Sequence, residues 1–309
     1  MELQNNVNGM VYNTSMIDTH THLNFQAFKD DWREVVKRAQ GAGVEKMIVV
    51  GTDLTSSKRA VEMAEENESL FAAVGIHPHH AKKYLDIGVA LDSSSSIQND
   101  ISNKILRRAH DDMSELKQLA MQPKVVGIGE MGLDRHAYKN TKYELQNSRE
   151  EEEILHQIQK QLLCEQVKLT RELDKPFILH SRESKDSVLE EILKQVQDDI
   201  NELSGVFHCY EGSKKYLKRI LEAGFYVSFT GNITYSQDRL EVAKMIPDDR
   251  LLIETDSPYM TPIPHRGERN EPKNVGLVLA AHAKSRNMSV EEMEKITTEN
   301  ANKLFGLSD

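Results

Sequence analysis

Cysteine is nearly missing from this sequence: Cys164 and Cys209 are the only two in 309 residues. That excludes a disulfide framework as the source of stability and points to a reducing compartment, with the cytoplasm as the expected location. No apolar run approaches the roughly 20 residues that a bilayer-spanning helix needs, so no membrane association is expected. The opening stretch MELQNNVNGMVYNTS has neither a basic start nor an apolar core, and no signal peptide is expected from it. Positive charge is also short. Lysine and arginine number 39 against 49 aspartates and glutamates, a formal net charge of −10, which argues against a broadly basic nucleic-acid-binding surface. A phosphate substrate stays open, because divalent cations in a cleft reverse the local field whatever the overall balance.

What is present is a globular composition, 39% hydrophobic and 28% charged, that can bury a substantial core. Short apolar, β-branched runs recur at 16–20, 46–51, 70–76, 124–130, 176–180, 205–209, 225–229 and 250–256. Most are continuous rather than alternating, the pattern of parallel strands covered on both faces. Amphipathic helical patterns lie between them, near 30–40, 55–67, 104–120, 148–173, 185–197, 213–223, 237–245 and 274–286, with a last one near 290–304. Ser56, Ser187 and Ser213 stand where a hydroxyl can cap a helix start, and Gly41, Gly43 and Gly224 near helix ends. Eight strands alternating with helices predict an α/β fold of the (β/α)8 TIM-barrel type, carrying a polar N-terminal tail (1–15) and an extra C-terminal helix. A doubly wound open sheet is the competing architecture. Residues 16–309 are expected to form a single barrel domain, with the serine-rich segment 91–103 as a loop inserted after the third strand.

The informative feature is the polar residue at the end of each apolar run. The stretch MIDTHTHL places His20 and His22 two residues apart, on one face of a strand. Strand four ends at Glu130, strand five at His180, strand six at His208 and strand eight at Asp256. In a closed barrel all strand C-termini share one rim, so these side chains converge there. Four imidazoles and two carboxylates suffice for two divalent ions with a bridging carboxylate. Any one of them has a bland reading as a buried histidine or a turn cap. Six at strand ends are hard to assign to chance. His77, in GIHPHH, could join the same rim; His79 and His80 lie farther along the loop and are expected to face solvent, while His110, His136, His156 and His282 read as structural.

The ordered motifs DTHTHL, VGIHPH, GEMGLD, ILHSRES, FHCYEG, YVSFTGNIT, ETDSPYMTPIPHRGERNEP and ENANKLFG, spanning about residues 16 to 307, resemble TatD-like metal-dependent deoxyribonucleases within the amidohydrolase-like barrels. The resemblance implies a hydrolase of DNA phosphodiesters that removes nucleotides from an end. It implies a first metal on His20, His22 and Asp256, Glu130 as the bridge, and His180 and His208 completing a second site. Asp134 is then the carboxylate that orients a ligand, with His77 accessory to the same site.

Such chemistry needs an activated water, charge neutralisation and in-line geometry, which two divalent ions about 3.5–4 Å apart can supply. Asp256 and Glu130 are the expected catalytic carboxylates, with Asp256 taking the proton. Arg182, Arg266 and Arg269 are candidate phosphate contacts, since guanidinium forks suit phosphate oxygens. Tyr210, Tyr235 and Tyr259 are candidates for base stacking. Zinc, manganese or magnesium would serve as the ions. The expected partner is DNA, single-stranded or at free ends, with no obligate protein partner. The alternative is a related barrel hydrolase acting on an amide or an ester such as an aminoacyl ester.

Overall fold

The computed structural model of the chain describes residues 6–7, 10–11, 15–88, 109–136, 149–195 and 203–307. The serine-rich segment 91–103 and most of the tail 1–15 lie outside these residues; within the tail, Asn6–Val7 pairs antiparallel with Met10–Val11.

Eight strands form one sheet: β1 (Met16–Thr21), β2 (Val44–Val50), β3 (Leu70–Val74), β4 (Val125–Asp134), β5 (Phe177–Arg182), β6 (Gly205–Phe207), β7 (Tyr226–Phe229) and β8 (Leu251–Ile253). They are hydrogen-bonded in chain order, every neighbour parallel. The sheet then closes on itself. Asp256 N donates to His20 O at 2.9 Å, and His22 N to Ser257 O at 2.8 Å, so the chain just past β8 pairs with β1. Closure excludes the open doubly wound sheet and gives the expected (β/α)8 barrel.

The helices on the outside are α1 (Trp32–Gly41), α2 (Leu54–Glu66), α3 (Ala81–Gly88), α4 (109–120), α5 (Arg149–Leu173), α6 (Lys185–Gln195), α7 (Lys214–Glu222), α8 (Gln237–Ala243) and α9 (Val275–Arg286), with α10 (Val290–Phe305) at the end. Helix α3, directly after β3, has no counterpart in the helical pattern read from the sequence. The cap of α2 also differs from expectation. Asp53, not Ser56, is the N-cap, and Ser56 closes a capping box from the third helical position. Ser213 does cap α7, accepting from Tyr216 N at 3.2 Å.

Strand alternation divides the core in two. Met47, Val49, Phe177, Leu179, Val227, Phe229, Leu251 and Ile253 face the helices. Their neighbours Ile48, Val50, Ile178, Tyr226 and Leu252 fill the barrel interior, where they meet Leu304, Phe305 and Leu307 from the end of α10. A Cβ on Gly127 would lie 3.5 Å from the Phe305 ring, so α10 floors the barrel under the strands' N-terminal ends. Asn300 ties that helix to the sheet through Leu251 O at 2.9 Å. With this end plugged, inward-facing polar groups gather at the opposite rim.

Candidate metal centre

The rim brings together all six of the strand-end residues. Glu130 is central, and its two oxygens face different imidazoles. Oε2 lies 3.6 Å from both His20 Nε2 and His22 Nε2. Asp256 Oδ1 adds to that side, 3.8 and 3.4 Å from the same two nitrogens. Oε1 lies 2.9 Å from His180 Nδ1 and 2.7 Å from His208 Nε2, and those nitrogens are 3.4 Å apart. Edges of roughly 3.0–3.6 Å are what bonds of about 2.0–2.2 Å to a common ion produce. Three groups, His20–His22–Glu130, His20–His208–Asp256 and His77–Glu130–His180, are each compact enough to hold an ion.

The backbone aims these side chains. Asp256 and Cys209 adopt left-handed conformations, φ 52° and 43°. At Cys209 this accompanies donation of its backbone N–H to Glu254 Oε1 at 2.6 Å. A Cβ at Gly132 would collide with the His180 carbonyl, so the second glycine of GEMGLD lets β4 lie close against the strand that carries a donor.

Behind the donors stands a layer of acceptors. His22 Nδ1 donates to Val50 O at 3.0 Å. His180 Nε2 lies 2.9 Å from Asp134 Oδ2, the orienting contact expected of Asp134. Glu254 places Oε1 3.5 Å from His208 Nδ1 and accepts from the Ser228 hydroxyl at 2.7 Å. Asp18, fully buried, accepts from Thr255 N at 2.9 Å and Thr255 Oγ1 at 2.6 Å. Sequence reasoning passed over Glu254 and Asp18. The available signal was spacing: Glu254 sits two residues before Asp256 and Asp18 two before His20, which is one strand period.

Electrostatics here reflect the crowding of charge in a dry site. Burial works against ionisation of Glu130, yet the His77 and His208 imidazoles beside it and hydrogen bonds from His180 and His20 hold it well below the usual carboxylate range. Asp256 is likewise lowered, burial being outweighed by His22, His20 and His208. Burial would lower His180, but Asp134 and Glu130 raise it to about 9; His208 is raised by Glu130 and Glu254 in the same way. Burial and the neighbouring His208 push His20 down. Burial also raises Asp18, to about 8. Ionised carboxylates here hold protons on the imidazoles around them, and cations taken up at the same place would displace those protons.

Five of the six strand-end residues, all but the fully buried His20, line a cleft of about 410 Å³, whose lining also includes Phe25, Thr52, His77, His79, His80, Ser181, Arg182, Cys209, Glu211, Tyr259 and Met260. Arg182 is thus at the site. Arg269 is not: its guanidinium donates to Ala27 O at 2.6 Å and to Asp31 at 2.9 and 2.6 Å, and pairs with Glu271 at 3.1 Å. It ties the loop after β8 to the start of α1, outside the cleft lining where a phosphate contact was expected of it. Arg266 lies with its guanidinium carbon 4.0 Å from the centre of the Tyr235 ring, outside the cleft lining. His79 corrects a second expectation. It lines the cleft rather than facing solvent, with Nε2 3.0 Å from Asp134 Oδ2. Tyr210 is buried and donates to Ser213 O at 2.8 Å, a packing role rather than a stacking one, whereas Tyr259 is 55% exposed at the rim. His282 is a buried residue of α9 and His110 an exposed one of α4, and neither lines the cleft.

Comparison with known proteins agrees with this geometry. A family model described as TatD related DNase matches residues 17–306. The uncharacterized metal-dependent hydrolase YabD of Bacillus subtilis is 36% identical over 295 residues, spanning 95% of this chain and 100% of that protein. The 3′-5′ ssDNA/RNA exonuclease TatD of Pantoea ananatis is 30% identical over 303 residues, spanning 94% and 100%. The crystal structure of YjjV, a TatD homologue from Escherichia coli K12, matches with a TM-score of 0.75 at 28% identity, covering 94% of this chain and 98% of that one. Among the described residues no helix is long and apolar enough to cross a membrane.

Proposed function

The chain belongs to the TatD-related DNase family of metal-dependent hydrolases, and on that premise we propose that it hydrolyses phosphodiester bonds of DNA, working inward from single-stranded or free ends, with two divalent cations at the barrel mouth. His20, His22 and Asp256 would hold the first cation and His180 and His208 the second, with Glu130 available to both. The observation that carries this reading is the division of Glu130, Oε2 towards His20 and His22 and Oε1 towards His180 and His208. The exonuclease named in Pantoea ananatis supports the substrate class. Mixed nitrogen and oxygen donors suit zinc or manganese, and magnesium if waters complete its shell.

When bound, the cations supply an activated water and neutralise charge on the phosphoryl oxygens. The chain's own groups do the rest. Asp256, kept ionised by the imidazoles beside it, accepts the proton of the attacking water. Arg182, on the cleft wall, donates to a non-bridging phosphoryl oxygen and holds the diester in line. Asp134 and Glu254 lock the rings of His180 and His208. The cytoplasm is the compartment this reading assigns, where Cys164 and Cys209 remain thiols.

The test is metal-reconstituted turnover of end-labelled single- and double-stranded DNA with product lengths tracked over time, beside bis-nitrophenyl phosphate, simple amides and an aminoacyl ester. Stepwise shortening from a labelled strand's end is expected. DNA left intact under zinc, manganese and magnesium while an amide or aminoacyl ester is cut would overturn the reading in favour of carbonyl chemistry.

A further inference from the structure

His77 reaches the same carboxylate as the donors. Its Nε2 lies 3.3 Å from Glu130 Oε1, and with Glu130 and His180 it forms a third group compact enough for an ion. Proximity alone makes it a candidate ligand. The contact behind the ring argues otherwise. His77 Nδ1 accepts the backbone N–H of His79 at 3.1 Å, at the start of the short turn Pro78–His80. A backbone amide can only donate, so Nδ1 carries no proton, the imidazole is neutral, and its single proton sits on Nε2. His77 therefore faces the cluster with an N–H and has no lone pair there to give an ion.

The same reasoning sorts the other rings the opposite way. The partner behind His22 is a carbonyl oxygen and that behind His180 is the carboxylate of Asp134, while the carboxylate facing His208 Nδ1 is Glu254, at 3.5 Å. Each is an acceptor, which favours a proton on the far nitrogen, so the near one can exchange its own proton for a cation. Among these rings His77 alone is backed by a donor.

We propose that His77 is a positioning residue and not a metal ligand: its Nε2–H engages Glu130 Oε1, occupying one lone pair of that oxygen and fixing which carboxylate oxygen faces which cation. The proposal rests on the two-cation reading. It is tested by long-range nitrogen–proton NMR of the histidine-labelled protein before and after Zn2+ addition, together with Zn2+ titration of wild type, His77→Ala and His77→Gln. His77 is expected to keep its Nε2–H form with Zn2+ bound while the nitrogens of His22, His180 and His208 shift. Both variants are expected to keep the wild-type stoichiometry. His77→Ala should bind the second equivalent on the order of 10–100-fold more weakly, and His77→Gln, whose amide can still donate, should recover most of that loss. Loss of the His77 Nε2 proton on Zn2+ addition, or loss of one equivalent in His77→Gln, overturns the proposal. A wild type that takes up fewer than two equivalents overturns the two-cation reading instead, and the NMR form of His77 still reports its tautomer.

Discussion

Asp134 Oδ2 lies 2.9 Å from His180 Nε2, on the side of the ring away from Glu130, while His180 Nδ1 lies 2.9 Å from Glu130 Oε1. One imidazole is thus held between a carboxylate that orients it and a carboxylate with which it can share an ion. Replacing Asp134 by Asn keeps the shape and removes the charge. Metal affinity at the second site should fall on the order of 10–100-fold. Isothermal titration with Zn2+ or Mn2+ measures this, and an unchanged affinity would show that Asp134 is not what fixes the ring.

Asp256 is assigned both a ligand oxygen and the proton. Asp256→Asn preserves size and one oxygen but removes the base, so kcat on DNA should drop about 10²–10⁴-fold with a smaller change in KM. Metal content measured on the same preparation separates loss of the base from loss of the ion. Turnover within a few-fold of wild type at full metal content would move the proton-accepting role elsewhere.

Arg182 and Arg269 make a paired contrast. Arg182→Ala should mainly raise KM for DNA, because it removes a contact to the diester. Arg269→Ala should leave kinetics alone and cost about 1 kcal/mol of stability, the scale of a partly exposed ion pair, since its partners are Asp31 and Glu271. Steady-state kinetics and denaturant melts on the two variants decide it; the reverse pattern would return Arg269 to the substrate.

His282 gives a pH prediction outside the metal site. Burial, aided by Arg286, pushes its pKa down to about 3, and among the described residues neither ring nitrogen finds a hydrogen-bond partner. The unfolded chain protonates this histidine near its ordinary pKa of about 6.5, so between about 6.5 and 3 the unfolded state binds the extra proton. The contribution is intact above the unfolded value and is lost as pH falls. From pH 7 to 5 it amounts to about 2 kcal/mol. A His282→Leu variant should lose correspondingly less stability than wild type over that interval in urea melts, and parallel losses would refute the assignment.

The barrel and the convergence of the six strand-end residues were legible because each is the polar residue that ends a continuous apolar run, and a parallel barrel gathers such ends on one rim. Less legible were residues whose role depends on a partner far away in sequence. Glu254 looked like part of a strand, yet it backs His208 and accepts from Cys209 N. Arg269 looked like a phosphate handle until α1 supplied Asp31, 238 residues away in sequence. His79 looked solvated because the loop bends back over Asp134. Ser56 was the right residue in the wrong capping position, since both Asp53 and Ser56 suit a helix start and only the backbone path chooses between them.

The seam that completes the barrel has one more effect. His20 and His22 belong to the first strand and Asp256 to the segment after the last, and the two meet through His20 O, Asp256 N, His22 N and Ser257 O. A nascent or truncated chain lacking the segment after its final strand keeps His20, His22 and Glu130 but loses Asp256, one of the four donors that the proposed reading gives that cation. On the proposed reading, that donor set is complete only once the segment after β8 has joined β1, so uptake of the ion would report that the barrel has closed.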